Sequence, residues 1–481
     1  MPSVTDLPPV LNWNGKKKTV LKPAQGTVHD YWYFGIPFPV ILRKEITGKK
    51  GEPTIIEEEG KRLAITNGYN VWLQEDLETM NTPSTFSHEP LFLDERWNFE
   101  DIKQFVNGGH ASPTTKELLD EIQQQYRNYI DFVNPEDYLV TAAWTMTTYL
   151  HQLFVAFPYL FLSGEKESGK TKTLLLTSCM AFNSMTTGNI STSALYRMVQ
   201  DCSPALLLDE TETLKDPERA ESIRNVLLSG YKKGTVVYRA NKDKKNTPVE
   251  SFEVYCPKMI ANIRGLEQVL ESRTIPIQMC KTLDKNLGNK EINPLDPQWP
   301  QIRAKLYRWA LDHWKEVAAN NTPETTPEEL TNRAKELWLP ILTLLKTADN
   351  NYYTTVSEYA KRQQTERAIE AEQNNELTLA LLKALSQTIK QDQAISRAHV
   401  KAVATVMRSL LSNPPAWLKW RWVSDKMKLL GYQKGRDNVG VFYEITSNQF
   451  KATLSRYSIT QEYLNGLSFV EETQSSQAVL V

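Results

Sequence analysis

The spacing of apolar residues changes from one region of the chain to the next. Residues 1–112 mix β-type runs such as DYWYFGIPFPVIL with Pro, Gly and Thr breaks, a pattern typical of strands joined by turns. From Pro113 onward, apolar residues recur three and four positions apart in KELLDEIQQQYRNYIDF and PEDYLVTAAWTMTTYLHQLF, as they do in amphipathic helices. The pattern therefore predicts a β-rich N-terminal accessory domain over residues 1–112, followed by helices.

Short and continuous apolar runs come next, with helix-like stretches between several of them. AFPYLFLSG is suited to a buried parallel strand, and it is followed by a Gly-bearing turn and a helix. The later runs are ALLLDE, TVVYRA, SFEVYC, KMIANI and RTIPIQM. Strands that alternate with helices in this way build a parallel sheet covered by helices, so we expect an α/β core over residues 113–285.

The rest of the chain reads mainly as helix. Residues 286–373 contain QIRAKLYRWALDHWKEV, EELTNRAKELWLPILTLL and a charged helical stretch, which we interpret as a small helical lid and a connector. Residues 374–463 run ELTLALLKALSQTIK, SRAHVKAVATVMRSLL, WVSDKMKLLG, a turn and VFYEIT. Three helices closed by a hairpin are the order of a winged helix. Residues 464–481 are expected to be a loose tail.

Composition and charge narrow the class of protein. The 481 residues are 41% hydrophobic and 23% charged, with a net charge of −1, which is typical of a folded protein of several domains. A polyanionic partner must then meet local basic patches. We find no apolar leader and no membrane span, so we expect a soluble cytoplasmic protein without a membrane partner. The four cysteines stand singly in apolar surroundings and are expected to be reduced core thiols.

GEKESGKT at residues 164–171 satisfies the full phosphate-loop pattern, and it lies between a predicted strand and a predicted helix. Lys170 is expected to reach the β and γ oxygens of ATP, and Thr171 to offer its hydroxyl to Mg²⁺. The alternative is an accidental surface turn. The predicted nucleotide-binding residues are Gly164, Glu165, Lys166, Glu167, Ser168, Gly169, Lys170, Thr171 and Lys172.

Two later strands carry polar groups at their ends. LLLDE places Asp209 and Glu210 after an apolar strand, where Asp209 can hold Mg²⁺ and Glu210 can polarise the attacking water. KMIANI carries the single amide of Asn262, for which the attacking water or the γ-phosphate is the expected partner. The alternatives are a solvated loop for the acidic pair and a loop cap for Asn262.

Arg273 stands just before the last core strand, in ESRTIPIQM. This position favours a role as a finger that acts on the γ-phosphate bound by a neighbouring subunit. A surface salt bridge is the simpler alternative.

A basic hairpin is predicted between the acidic pair and the Asn262 strand. TVVYRA and SFEVYC are joined by NKDKKNTPVE, so six basic residues face Asp243 alone in the interval 231–245. Placed before the amide-bearing strand, such a hairpin can project into a ring channel and grip a phosphate backbone, or it can be a solvated turn that protects a sheet edge. The predicted DNA-binding residues are Arg239, Lys242, Lys244 and Lys245.

The predicted winged helix is a second basic region. From Ala416 to Tyr457 there are eight basic residues and three acidic ones. Trp417, Trp420 and Trp422 lie beside them, where they can stack on bases. Tryptophans at the start of a domain are more often core residues, and we favour that interpretation.

In this order, GEKESGKT, LLLDE, the basic hairpin, KMIANI and SRTIPI resemble the AAA+ helicases of superfamily three and of the minichromosome-maintenance type, over residues 115–345. FPYLFLSGEKESGKTKTL, NRAKELWLPIL and a C-terminal winged helix are more narrowly similar to replicative helicase-like proteins of phages, plasmids and integrated mobile elements. The resemblance implies an AAA+ P-loop ATPase core with a helical lid, in which the residues above bind and hydrolyse ATP with Mg²⁺. It further implies that Arg333 is the sensor of the lid, although a helix-surface ion pair suits Arg333 nearly as well.

These observations predict a DNA helicase that forms a homo-oligomeric ring, a hexamer by the resemblance, and replicates a mobile or viral genome. It would translocate on single-stranded DNA, act on forked DNA and rely on a separate primase, because we find no priming motif in the chain. The alternative is an AAA+ DNA-binding initiator, loader or transposition regulator that uses ATP as an assembly switch. A remodeller of proteins would leave both basic regions without a role.

Overall fold

A computed structural model describes residues 10–11, 17–22, 24–28, 31–47, 53–66, 71–73, 84–87, 96–107, 109, 111–187, 192–209, 217–240, 249–262, 266, 268–388, 395–411, 414–457 and 460. The chain divides into two compact units, Met1–Arg362 and Gln363–Val481. Each unit has a hydrophobic core of its own among the described residues.

Short antiparallel pairs dominate the beginning of the first unit, in agreement with its β-type sequence runs. β5 and β6 form a long hairpin in which Ile36 pairs with Ala64 and Thr47 pairs with Pro53. The strands are β1 (Val10–Leu11), β2 (Lys17–Leu21), β3 (Gln25–Val28), β4 (Tyr31–Phe34), β5 (Ile36–Thr47), β6 (Pro53–Thr66), β7 (Val71–Leu73) and β8 (Ser84–Phe86).

Helices and parallel strands make up the rest of the first unit. The helices are α1 (Phe99–Val106), α2 (Thr115–Tyr129), α3 (Glu136–Thr147), α4 (Lys170–Met180), α5 (Thr192–Cys202), α6 (Pro217–Ser229), α7 (Gln268–Glu271), α8 (Lys285–Asn289), α9 (Gln298–Asn320), α10 (Arg333–Ala348) and α11 (Asn350–Thr388), the last of which continues into the second unit. The strands are β9 (Tyr159–Ser163), β10 (Met185–Thr187), β11 (Leu206–Leu208), β12 (Val236–Ala240), β13 (Val249–Glu253), β14 (Lys258–Asn262) and β15 (Thr274–Gln278).

A parallel sheet stands at the centre of this unit. Its described strands follow the order β10-β11-β14-β9-β15, and every neighbouring pair is parallel. β14 is buried along its whole length and β9 along all but its last residue, which explains why both read as continuous apolar runs. The predicted α/β core with a strand, a Gly-bearing turn and a helix is confirmed in this region.

Aromatic side chains join the N-terminal strands to the helices of the core. The Tyr307 ring of α9 stacks on Trp97 with ring centroids 4.9 Å apart, and it meets Phe34 of β4 edge-on at 4.8 Å. Trp32 of the same strand lies 6.2 Å from Trp314. These residues of β4 therefore bury their rings in the same core as α9. The stacked and edge-on contacts are the arrangements that paired aromatic rings prefer.

The second predicted helix is shorter than its apolar pattern indicates. α3 ends at Thr147, and a 3-10 helix continues over Thr148–Leu153. The hydroxyls of Thr145 and Thr148 donate to the carbonyls of Thr141 and Thr145 at 2.9 and 2.6 Å. Threonine hydroxyls that donate to backbone carbonyls of the preceding turn compete with the hydrogen bonds of the α-helix. These hydrogen bonds lie where the α-helix changes to the more tightly wound 3-10 helix.

The second unit contains the end of α11, then β16 (Ile395–His399), α12 (Val400–Leu410), α13 (Trp420–Leu429), β17 (Gln433–Arg436), β18 (Val441–Thr446) and α14 (Ser447–Arg456). The three strands form an antiparallel sheet in the order β16-β18-β17. Our expectation of a helix through SRAH was wrong, because these residues alternate between buried and exposed positions as part of β16.

None of the described helices combines the length and apolar character that crossing a bilayer requires. Three of the cysteines are buried, as expected, but Cys280 is exposed.

Asp137 gives the first unit a pH-dependent stability. Burial raises the pKa of this carboxyl group from 3.8 to about 6, although hydrogen bonds from Tyr359 and Asn134 oppose the rise. The folded state thus binds the proton more tightly than the unfolded chain, so the free energy of unfolding falls as pH rises from about 3.8 to about 6, by about 3 kcal/mol.

The variant Asp137→Asn should therefore gain stability over the wild type as pH rises, since it has no charge to bury. Chemical denaturation at about pH 3.5 and about pH 7 measures this gain. Asp349→Asn is the matched control, because hydrogen bonds from the Asn351 backbone and Lys116 lower the pKa of Asp349 and the shift should have the opposite sign. If the difference in unfolding free energy between Asp137→Asn and the wild type were the same at both pH values, the raised pKa assigned to Asp137 would be contradicted.

Candidate functional site

The phosphate-loop sequence lies at the carboxyl end of β9, as predicted. Ser163 ends the strand and α4 begins at Lys170. Gly169 precedes the helix with a φ of 91°, which glycine adopts without strain. Gly164 lies so close to the Met279 backbone that an added Cβ would be 2.3 Å from that carbonyl oxygen. Two positions of the motif thus require glycine for backbone reasons.

The Lys170 ammonium is held inside the loop. Its side chain donates to the carbonyl oxygens of Gly164 at 2.8 Å and Glu165 at 2.6 Å, and to the Ser168 hydroxyl at 3.2 Å. Only 8% of the residue is exposed. A charge with so little contact with water needs polar partners, and here three oxygen atoms of the loop itself supply them.

Thr171 and Asp209 meet across the sheet. The Thr171 hydroxyl donates to a carboxylate oxygen of Asp209 at 2.7 Å, and Asp209 directly follows β11. A hydroxyl and a carboxylate are oxygen ligands of the kind that Mg²⁺ takes, so this pair fits the predicted metal site. Glu210 lies outside the described residues.

Asn262 is the last residue of β14 and pairs in register with Ser163. It is buried. The parallel pairing of β9, β14 and β11 brings Asn262 to the same edge of the sheet as the phosphate loop and Asp209. We call this edge, where the parallel strands end, the carboxyl edge.

Ion pairs and hydrogen bonds hold the outer side of the loop. Glu167, whose φ is 66°, pairs with Lys281 at 2.8 Å on the surface. Lys172 turns toward α8 and donates to the carbonyl oxygen of Leu287 at 2.8 Å, and burial, with help from Lys290, lowers its pKa. Lys172 is therefore engaged by the protein, although it was predicted to bind nucleotide.

Arg273 lies at the opposite end of the sheet. It directly precedes Thr274, which pairs with Tyr159 at the beginning of β9, and its backbone carbonyl accepts from the Tyr159 amide at 3.1 Å. A strand of this length spans roughly 16 Å. That distance separates Arg273 from the phosphate loop of its own chain and places it at what we call the amino edge.

Arg333 lies at the amino edge as well. Its guanidinium covers the Tyr231 ring at 5.1 Å, and the Tyr231 carbonyl accepts from the Phe157 amide just before β9. Glu336 pairs with Arg333 at 3.8 Å and with Lys232 at 2.5 Å. The helix-surface ion pair that we kept as an alternative for Arg333 is thus present, and the side chain lies away from the phosphate loop of its own chain.

Lys258 is a buried cation that sequence analysis missed. It opens β14 and donates to the carbonyl oxygens of Gly230, Val254 and Cys256 at 3.0 to 3.1 Å. Burial lowers its pKa. The sequence signal that could have indicated this role is a lysine at the start of the otherwise apolar run KMIA. A charge at the start of a fully buried strand needs hydrogen-bond acceptors inside the protein.

The predicted hairpin is present as β12 and β13, paired from Val236↔Glu253 to Ala240↔Val249. Its tip, with Lys242, Lys244 and Lys245, lies outside the described residues. Arg239 turns toward the body of the unit, where it donates to the Tyr196 hydroxyl at 2.5 Å and covers the Tyr196 ring. These contacts place Arg239 in the body of the hairpin, and its role in DNA binding stays a prediction.

The other described cations of the hairpin region, Lys232 and Lys233, also have protein partners. Lys233 donates to the carbonyl oxygen of Gln152, and burial lowers the pKa of Lys233 to about 8. Glu253 of β13 pairs with Lys22 at 2.6 Å. The base of the hairpin is thereby tied to the unit on which it stands.

Our favoured interpretation of the C-terminal tryptophans was wrong for two of the three. Trp417 and Trp420 are 54% and 47% exposed, and only Trp422 packs against the core. Leu418, which is 1% exposed, takes the core position in this turn. The apolar spacing did not distinguish which side of the turn faces the core.

Solved structures of helicases are among those that resemble this chain. Two of them are the SCCmec type IV Cch active helicase (TM-score 0.36, 11% identity, 88% of this chain and 97% of that one) and JCV helicase (0.20, 13%, 55% and 72%). The apo NrS-1 C-terminal region in its A form is also similar to this chain (0.26, 12%, 80% and 93%). No protein-family model matches the chain, and no curated protein matches it. We draw no conclusion on function from likenesses at this level.

The close approach at Gly164 makes a prediction about stability. In Gly164→Ala the new Cβ would meet the Met279 carbonyl oxygen at 2.3 Å. Because backbone has to move to relieve this clash, the variant should lose about 1–3 kcal/mol of unfolding free energy in denaturant titrations. Gly288→Ala, whose nearest neighbour is a methyl carbon at 3.3 Å, is the control and should change by no more than about 1 kcal/mol. Equal denaturation midpoints for Gly164→Ala and Gly288→Ala would contradict the predicted clash with the Met279 carbonyl oxygen.

Proposed function

We propose that the carboxyl edge binds and hydrolyses ATP with Mg²⁺. The observation that supports this most strongly is the hydrogen bond from Thr171 to Asp209, because it joins the end of the phosphate loop to the acidic strand end where a metal ion is needed. Lys170 would hold the β- and γ-phosphates, and Thr171 and Asp209 the metal ion. The ion would neutralise charge on the phosphates.

Two further residues would complete the hydrolytic site. Asn262 lies beside the loop at the end of β14, where its amide can orient the attacking water or contact the γ-phosphate. Glu210 follows Asp209 in sequence and would polarise that water. Each role needs only a short polar side chain at the carboxyl edge.

We further propose that the protein is an ATP-driven DNA helicase that forms a hexameric ring and replicates a mobile or viral genome. The hairpin of β12 and β13 supports this, since its tip carries Lys242, Lys244 and Lys245 and its second strand leads within a few residues into the strand of Asn262. A grip on a phosphate backbone at the tip would then act close to the site that responds to the γ-phosphate. A separate primase would supply primers.

Arg273 and Arg333 would act on the nucleotide of a neighbouring copy. Both lie at the amino edge, close enough to Tyr231 to affect its pKa. Burial and Glu336 raise the pKa of Tyr231, and the positive charges of Arg333 and Arg273 oppose the rise. A strand length separates them from their own loop. In a ring, the amino edge of one copy would face the carboxyl edge of the next, and a guanidinium there would stabilise the charge that develops on the γ-phosphate.

The test of the proposed function is ATP hydrolysis coupled to strand separation. Lys170→Ala should bind ATP weakly and lose turnover, whereas Glu210→Gln should keep ATP bound and lose only hydrolysis, since it removes the water-orienting group alone. Labelled-nucleotide binding and phosphate release measure the difference. Wild-type protein should displace the annealed strand of a forked DNA when ATP is present.

Lys315→Ala is the control, because Lys315 is an exposed lysine of α9, and it should hydrolyse ATP at the wild-type rate. Normal turnover by Lys170→Ala would contradict the site. Turnover stimulated by single-stranded DNA without strand displacement would contradict unwinding and indicate an ATP-dependent assembly switch.

The role of the amino edge is tested by mixing inactive subunits. Arg273→Ala should bind ATP but hydrolyse it at least about a hundredfold more slowly. Mixed with Glu210→Gln subunits it should recover activity, because random assembly gives about a quarter of the interfaces an intact finger beside an intact site. Arg333→Ala should behave in the same way, whereas Arg362→Ala on α11 is the control. No recovery in the mixture would exclude action between subunits.

A further inference from the structure

Trp417 and Trp420 are two exposed tryptophans three residues apart in the second unit, which we call the tryptophan pair. Trp417 is 54% exposed and Trp420 is 47% exposed. Exposure of the two indole rings to water costs free energy that a ligand covering them would recover. Exposed apolar surface of this kind can mark a binding site.

The backbone holds the tryptophan pair firmly. The buried Leu418 anchors the turn between the two rings, its amide donates to the Pro415 carbonyl at 2.9 Å, and its own carbonyl accepts from the Arg408 guanidinium at 2.9 Å. Trp420 is the first residue of α13. The backbone that carries both rings is thus held in place, and the Trp417 ring lies beside Trp422 with ring centroids 6.5 Å apart. A backbone that is already ordered loses little conformational freedom when a ligand binds.

Basic residues flank the tryptophan pair in sequence. Lys419 and Arg421 flank Trp420 in sequence, and the Arg421 guanidinium lies 5.9 Å from the Trp420 ring centroid. Across residues 395–457 the sequence has eleven basic side chains and three acidic ones. This excess of positive charge favours a polyanionic ligand over a protein partner whose surface carries few acidic residues.

We propose that the tryptophan pair is a stacking site for unpaired bases of a single nucleic acid strand. Bases inside a duplex have both faces covered by their neighbours, whereas an unpaired base offers a face to an indole ring. The basic side chains would hold the backbone of the same strand. The inference rests on the proposed function and adds a single-strand contact outside the ATPase unit.

The experiment compares two double variants of the full chain that differ in the ring alone. Trp417→Leu/Trp420→Leu keeps apolar side chains without a flat ring, and Trp417→Phe/Trp420→Phe keeps a ring. Anisotropy of labelled oligothymidine and of a blunt duplex, without nucleotide, gives both affinities over a salt series. Leu429→Ala, which removes a 79% exposed side chain from the other end of α13, is the control.

The leucine variant should lose about tenfold to a hundredfold in affinity for oligothymidine. Its affinity for the duplex should change less than about twofold, and its log–log salt slope should not change, because stacking releases no counterions. The phenylalanine variant should keep most of the wild-type affinity. Thermal unfolding of both variants should match the wild type, since the replaced rings are exposed.

Several outcomes would overturn the inference. Equal oligothymidine binding by the wild type and the leucine variant would remove the stacking site while leaving the proposed helicase function intact. Equal losses on oligothymidine and duplex would indicate a duplex-reading surface, and a changed sedimentation coefficient with unchanged strand binding would indicate a protein interface. A wild type that binds no single strand would overturn the helicase proposal together with the inference.

Discussion

The position of β14 between β9 and β11 is the constraint on which the first unit depends. All five residues of β14 are buried and pair in parallel register with β9, and the first three also pair with β11. That register decides which side chains meet where the strands end, since a one-residue shift would turn each of them to the other face of the sheet. Asn262, the phosphate loop and Asp209 share an edge because these three strands start in step.

Lys258 connects that sheet to the hairpin. Its ammonium binds three carbonyl oxygens, one at the end of α6 and two in the link between β13 and β14. Gly230 permits the approach, since a Cβ there would lie 2.3 Å from the ammonium nitrogen. A buried charge releases such partners only at a high cost, so the hairpin base and the start of β14 are expected to move together.

Sequence patterns predicted four of the five described parallel strands, the phosphate loop and the hairpin, because each follows from local spacing of apolar residues, glycines and charges. They missed the short strand β10 (Met185–Thr187). They failed where the outcome depends on packing between distant segments. The strand β16, the exposed side of the turn at Trp417 and the contact between Arg333 and Tyr231 depend on such partners. Arg333 in particular is placed by Tyr231, about one hundred residues earlier in the chain, and no motif around NRAKELW specifies that neighbour.

The separation of the two edges also restricts how copies of the chain could assemble. If the carboxyl edge holds the nucleotide and the amino edge supplies Arg273, one active site requires different surfaces from two copies. An isologous dimer pairs a surface with itself and would leave loop facing loop. Only a heterologous contact brings unlike edges together, and repeating such a contact closes a ring or extends a filament. A closed ring gives every copy both neighbours. Because the five strands are parallel, a site shared between copies in this way requires a heterologous contact.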